Sequence, residues 1–143
     1  MPYRYLEDIA TADVAFEAVG ADLGEAFRAS ADAELGVMVE SPQLILPRVK
    51  RSFSAEEESL DILLLQLLQE ILYYKDAERL FLRCSLAEVE RSGAGWRLSA
   101  ELEGEGIDGT RHGLLTDVKA VTLHLLKVER TPEGWTARAV LDI

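Results

Sequence analysis

Seven polar residues stand where their type and spacing could do chemistry: Asp13, Arg111, His112, Lys119, Thr122, His124 and Asp142. Asp13 opens an alternating run directly after Ala10-Thr11-Ala12, and Asp142 closes another behind Ala139-Val140-Leu141. Ile143 follows and adds a terminal carboxylate beside Asp142. If Asp13 comes close in space, three oxygen donors converge, the kind of set that hard divalent cations such as Ca²⁺ or Mg²⁺ take. The ordinary alternative is that Asp13 caps a turn and Asp142 is solvated near a frayed end. Alternation from Thr116 to His124 puts Asp117, Lys119, Val121 and Leu123 on one face, with Val118, Ala120, Thr122 and His124 on the other. Lys119 is then either a functional cation held near carboxylates or an exposed lysine whose stem lies along the sheet. His124 fits a packed or edge position better than a ligand position, because only His112 could join it. Glu101, Glu103 and Glu105 alternate as one acidic face, solvated or available to a basic partner.

Other chemistries are excluded. There is no nucleophile elbow, P-loop, dinucleotide fingerprint or HExxH pair. Gly104-Glu105-Gly106 has no helix behind it to cradle a phosphate. Cys84 is the single cysteine, so neither a disulfide framework nor a thiolate zinc cluster can form within the chain. It falls in an alternating strand, where a buried structural thiol is expected.

The 143 residues carry 26 acidic against 15 basic side chains, a formal net charge of −11. That balance opposes direct nucleic-acid contact, which needs a basic face to neutralise phosphates. It suits a protein that holds cations or docks on a basic partner. A length of this order fits one domain, residues 1–143, with a core large enough to need no staple. The single cysteine suits a reducing cytoplasm, and Met1 to Tyr5 lacks the apolar stretch of a signal peptide. The most apolar run, Leu60 to Tyr74, is interrupted by Asp61, Gln66, Gln69 and Glu70. It is too short to span a bilayer, which takes roughly 20 apolar residues.

The elements that must position these residues follow from periodicity. Tyr3–Glu7 and Asp13–Val19 have strand character. Asp22 with Glu25 starts a helix over about 22–38, its apolar points at Leu23, Ala26, Phe27, Ala31, Leu35 and Met38. Gln43–Phe53 is extended, with Pro47 marking an edge or a bend. Ser54-Ala55-Glu56-Glu57 resembles a capping box for a second helix over about 56–75, striped by Leu60, Leu63, Leu64, Leu67, Leu68, Ile71 and Leu72. Leu80–Glu90, Trp96–Glu103, Val118–Glu129 and Trp135–Leu141 then alternate as hairpin strands. The expected fold is α+β, in two layers: two helices packed on one face of a mostly antiparallel mixed β-sheet.

Three sequence stretches, in this order, resemble the archease family over essentially the full length. The first is Tyr5-Leu6-Glu7, Thr11-Ala12-Asp13, Gly20 and Asp22-Leu23-Gly24-Glu25-Ala26-Phe27. The second is Arg111-His112 with Asp117-Val118-Lys119-Ala120-Val121-Thr122-Leu123-His124, and the third is Ala139-Val140-Leu141-Asp142-Ile143. The chain departs from the family pattern at Ala10, where a histidine is usual, at Asp117 in place of glutamate and at Leu123 in place of tyrosine. The resemblance implies a protein that is not itself an enzyme. Family members activate the RtcB-type ligase, which joins RNA ends bearing a 2′,3′-cyclic phosphate or 3′-phosphate to a 5′-hydroxyl. They promote guanylylation and multiple turnover of that ligase and broaden its nucleotide use. By motif, the resemblance makes Asp13, Asp142 and Ile143 metal-binding and Lys119 the cation beside them, with a divalent cation (Ca²⁺ or Mg²⁺) as cofactor. The implied partner is the ligase, with neither a nucleic acid nor a membrane contacted directly. A chaperone-like scaffold with an incidental cation site, or a small metal-dependent hydrolase, would use the same acids.

Overall fold

A computed structural model describes residues 2–7 and 13–143 of the chain. Ala10 and Thr11-Ala12, part of the first stretch, lie outside the described residues. Eight strands and two helices follow in the order β1 (Tyr3–Leu6), β2 (Asp13–Gly20), α1 (Leu23–Met38), β3 (Val49–Glu57), α2 (Leu60–Glu78), β4 (Leu80–Ser92), β5 (Gly95–Gly106), β6 (Ala120–Val121), β7 (Lys127–Thr131) and β8 (Gly134–Asp142). The α+β class is borne out. The strands divide into two sheets instead of forming one, and every described pairing is antiparallel. The larger sheet runs β1-β2-β8-β6, with β7 also on β8, and the smaller runs β3-β5-β4. Both helices touch strands of both sheets, so one contiguous apolar cluster forms at their junction.

Local chemistry explains the helices. Asp22 caps α1 by accepting from the Glu25 N–H at 2.9 Å. The stripe of α2 buries Leu63, Leu64, Leu67, Leu68 and Ile71 completely, enough to hold a helix whatever its intrinsic propensity. Its start differs from the sequence expectation. Ser54 to Glu57 belong to β3, in register with Ser99 to Trp96, and the cap is Ser59, whose Oγ accepts from the N–H groups of Asp61 and Ile62. Alternation through Phe53, Ala55 and Glu57 outcompeted the capping-box spacing, because those residues have a strand to pair with.

Two other stretches differ. At the start of the stretch expected extended over 43–53, residues Pro42–Leu44 form a short 3₁₀ turn, and the strand begins only at Val49. The strand expected over Val118–Glu129 is broken. Thr122 places both its N–H and its hydroxyl on the Val140 carbonyl, and Leu125 takes a left-handed φ of 55°. The chain thus turns away after two paired residues and returns as β7 farther along the same strand, β8. Gly134 closes the β7–β8 turn at φ 141°, where a Cβ would lie 2.3 Å from the Gly20 carbonyl oxygen.

Candidate functional site: an acidic pair at the end of the larger sheet

The ladder between β2 and β8 runs in unbroken register from Gly20 opposite Trp135 to Asp13 opposite Asp142. Opposed residues in an antiparallel pair project to the same face, with Cβ atoms roughly 5 Å apart. The register is locked by burial, since the alternate residues Phe16, Ala18, Ala137, Ala139 and Leu141 are all fully buried against the helices; a one-residue slip would turn that set outward. Packing of one face therefore sets the two carboxylates side by side on the other.

On the far flank of β8, Ala120 of β6 stands opposite Asp142, and the Lys119 N–H donates to the Asp142 carbonyl at 2.8 Å. Asp13, Asp142 and the Lys119 backbone, 129 positions apart at the extremes, thus meet at one end of the sheet. Asp13 and Asp142 are half-buried and Lys119 is exposed. With the other described residues, neither carboxylate makes an ion pair or side-chain hydrogen bond. Like charges placed directly opposite one another destabilise a sheet. Ile143 follows Asp142, its side chain half-buried against the core.

The donor chemistry fits a hard divalent cation. Both side chains supply oxygen only, close enough to share an ion that takes oxygens at about 2.3–2.6 Å. Among the described residues no third His, Cys, Asp or Glu joins them. The remaining ligands of such an ion would be main-chain oxygens or water, as is common for Ca²⁺ and Mg²⁺.

The other sequence candidates go elsewhere. His112 and Arg111 converge on Glu105, which is buried and not part of a solvated acidic face. Glu105 accepts from the Leu46 N–H at 2.7 Å and from Arg111, and pairs with His112 Nε2 at 3.1 Å. His112 Nδ1 accepts from the Asp108 N–H, which assigns the proton to Nε2 and makes the imidazole a donor to Glu105. Burial would raise the Glu105 pKa, but the Leu46 amide, His112 and Arg111 together lower it to about 2. Glu101 and Glu103 stay near the surface, hydrogen-bonded to Ser52 and paired with Lys50. His124 is exposed on the turn after β6, where its N–H donates to Thr122. Cys84 is buried in β4 at a bulge, and burial lifts its thiol to about 12, so it supplies no nucleophile.

Two charged residues escaped the sequence reading. Lys75 is buried, and its Nζ reaches Asp117 and the Val118 carbonyl, the segment that leads into Lys119. Glu34 is completely buried on α1, with both oxygens unpartnered, and burial pushes its pKa well up. Spacing carried a signal for both. Lys75 continues the Leu68, Ile71, Leu72 stripe, and Glu34 continues the Phe27, Ser30, Ala31 stripe, so each falls where a helix faces the core.

Comparison with known proteins agrees over the full length. Residues 3–143 match the Archease protein family (MTH1598/TM1083). The protein archease of Thermococcus gammatolerans is 37% identical over 134 residues, covering 93% of this chain and 94% of its own. That of Pyrobaculum calidifontis is 34% identical over 142 residues, covering 99% and 95%. The solution structure of Methanobacterium thermoautotrophicum protein 1598 superposes with a TM-score of 0.84 at 29% identity, covering 99% of both chains. A crystal structure of an archease from Thermotoga maritima, described as a possible chaperone, shares the fold at a TM-score of 0.58 and 19% identity, covering 96% of this chain and 97% of its own. Sequence, length and fold therefore agree, and the chain belongs to the archease family.

Proposed function

We propose that this protein is a non-catalytic activator of an RtcB-type RNA-splicing ligase, acting through the acidic end of its larger sheet. The observation that supports this reading is the in-register pair Asp13 and Asp142, half-buried and without a cationic partner among the described residues. Lys119 is fastened to the same strand end. A bound Ca²⁺ or Mg²⁺ would supply the charge that the two carboxylates lack and a bridge to phosphate oxygens. Asp13 and Asp142 hold that charge, with Ile143 contributing a main-chain oxygen. The rigid ladder beneath them keeps the oxygens at a fixed spacing. Lys119 offers a point positive charge beside the pair, suited to a phosphate of a guanylylated ligase. The activator then carries an ion to or from the ligase site and resets the ligase between turnovers. The RNA stays on the ligase, in keeping with the net charge of −11.

The test is multiple-turnover joining of an RNA 2′,3′-cyclic phosphate end to a 5′-hydroxyl end. A cognate RtcB-type ligase is supplied with GTP and a divalent cation, with and without this protein. Stimulation of ligase turnover is expected, and Asp13→Ala or Asp142→Ala should abolish it without loss of fold. Full stimulation by both variants, or suppression of aggregation of unrelated proteins with no effect on ligation, would overturn the reading.

A further inference from the structure

We infer that Lys75, on the core helix α2, is the positioning residue that fixes Lys119 beside the paired carboxylates. The inference rests on the reading of Asp13, Asp142 and Lys119 as the functional site. Residues 115–119 have no regular secondary structure. They cross from the end of α1 to the end of β8 on a short series of hydrogen bonds. Leu115 and Thr116 donate their N–H groups to the carbonyls of Met38 and Val37. Lys119 donates to the Asp142 carbonyl. Between these anchors the only side chain hydrogen-bonded to the segment from another element, among the described residues, is Lys75. Its ammonium donates to Asp117 Oδ1 at 2.6 Å and to the Val118 carbonyl at 2.9 Å, and it pairs with Asp76 Oδ1 at 2.7 Å. Three protons meet three acceptors, so the charge is satisfied although the residue is only 5% exposed. Burial alone would lower the Lys75 pKa; the hydrogen bonds of Asp117 and Asp76 outweigh it and raise it.

The simpler role for a lysine in the last turn of a helix is to offset the dipole at its own C-terminal carbonyls. The geometry is different here. Among the described residues Nζ makes none of its hydrogen bonds to those carbonyls, and it binds a main-chain oxygen 43 residues away. A lysine is almost never buried without partners, and both of its distant partners lie one and two residues before Lys119. Val118 itself is fully buried. Lys75 and Val118 together thus set where the chain emerges and in what direction Lys119 leaves the core.

The experiment measures amide hydrogen exchange at Lys119 together with stimulation of ligase turnover, in Lys75→Met, Lys75→Arg and Asp117→Ala variants. Asp117 is 67% exposed at its side chain, so its removal leaves the core intact and keeps the test available should Lys75→Met fail to fold. In Lys75→Met the Lys119 amide should exchange about tenfold faster, while the amides of Phe16 and Ala139, an opposed pair in the β2–β8 ladder, keep their protection. Ligase stimulation should fall by about tenfold, with partial recovery in Lys75→Arg, because arginine keeps the charge but not the compact ammonium geometry. Asp117→Ala should show the same changes at roughly threefold, one acceptor having been removed. An unchanged Lys119 amide in folded Lys75→Met, or in Asp117→Ala, would overturn the inference, as would full stimulation by Lys75→Met. Asp142→Ala measured alongside separates the two readings. If Asp142→Ala stimulates fully, the functional site is wrong, and the exchange data, which need no ligase, still decide whether Lys75 holds Lys119.

Discussion

Two carboxylate sites in this molecule end in opposite states. At Glu105, on the smaller sheet, a buried carboxylate gathers the Leu46 amide, Arg111 and His112, with Arg48 at 3.7 Å. Both oxygens of that carboxylate are answered, and the loop carrying Arg111 and His112 is tied down by it. At the end of the larger sheet, Asp13 and Asp142 face each other at the same register position with no basic side chain of the described residues paired to either. The first arrangement stabilises at the expense of availability. The second costs stability through like-charge repulsion and leaves oxygens that no other described residue engages, open to an outside ion or partner. The number of acids at a site says little; what matters is whether the fold supplies their counter-charges.

Exchanging the properties of these sites tests that contrast. Asp13→Ala and Asp142→Ala should each abolish ligase stimulation, while thermal stability stays level or rises by up to about 1 kcal/mol as the repulsion is relieved. Turnover assays beside thermal melts read both, and a large stability loss would show that the pair is structural. Glu105→Gln should do the reverse. Removing the buried charge leaves donors poorly matched, at a cost of roughly 2–3 kcal/mol by denaturant unfolding, while stimulation per folded molecule is kept.

The pH dependence separates the sites again. The folded-state pKa of Glu105 lies at about 2 against an ordinary 4.5. Its contribution is therefore complete above pH 4.5 and lost as pH falls toward 2. Part of the acid-side fall in stability should vanish in Glu105→Gln. Glu34 has the opposite sign. Its pKa is raised by burial, so the folded chain holds the proton more tightly than the unfolded one. Wild-type stability should decline as pH climbs above 4.5. Glu34→Met, which removes two unpartnered oxygens, should flatten that decline and add about 1 kcal/mol at neutral pH. The smallest effect is expected at the exposed pair of Arg4 and Glu17, on the same face as Asp13. Arg4→Ala should cost no more than about 0.5 kcal/mol, because Glu17 keeps Arg138 at 2.9 Å.

Much of the fold was legible in particular residues. The Asp22–Glu25 start of α1, the leucine stripe of α2 and the alternation of β2, β4, β5 and β8 all follow from local periodicity, which is strong where one face is buried. The failures lie where two local signals compete. Ser54 with Glu57 satisfied a capping pattern, yet the strand partner β5 claimed both. Val118–Glu129 alternated well, yet Thr122 and a left-handed Leu125 broke it. Glu105 alternated with Glu101 and Glu103 as if solvated, because nothing in its own strand announces that Leu46, Arg111 and His112 will arrive from elsewhere. Lys75 and Glu34 were visible as polar residues on apolar stripes, but a stripe does not name the partner.

The sequence by itself determined which residues could matter. Its acid excess argued against nucleic-acid contact, its single cysteine removed disulfide and thiolate chemistry, and its resemblance to the archease family singled out Asp13, Asp142 and Lys119 from the polar residues that spacing left open. Tertiary structure alone decided that Asp13 stands opposite Asp142, that Lys119 is fastened to the same strand end, and that a lysine on a core helix holds the approach to it. The physical reason is range. Propensity and periodicity act over a few residues, whereas register between strands more than a hundred residues apart is fixed only when both bury their inner faces against the same helices.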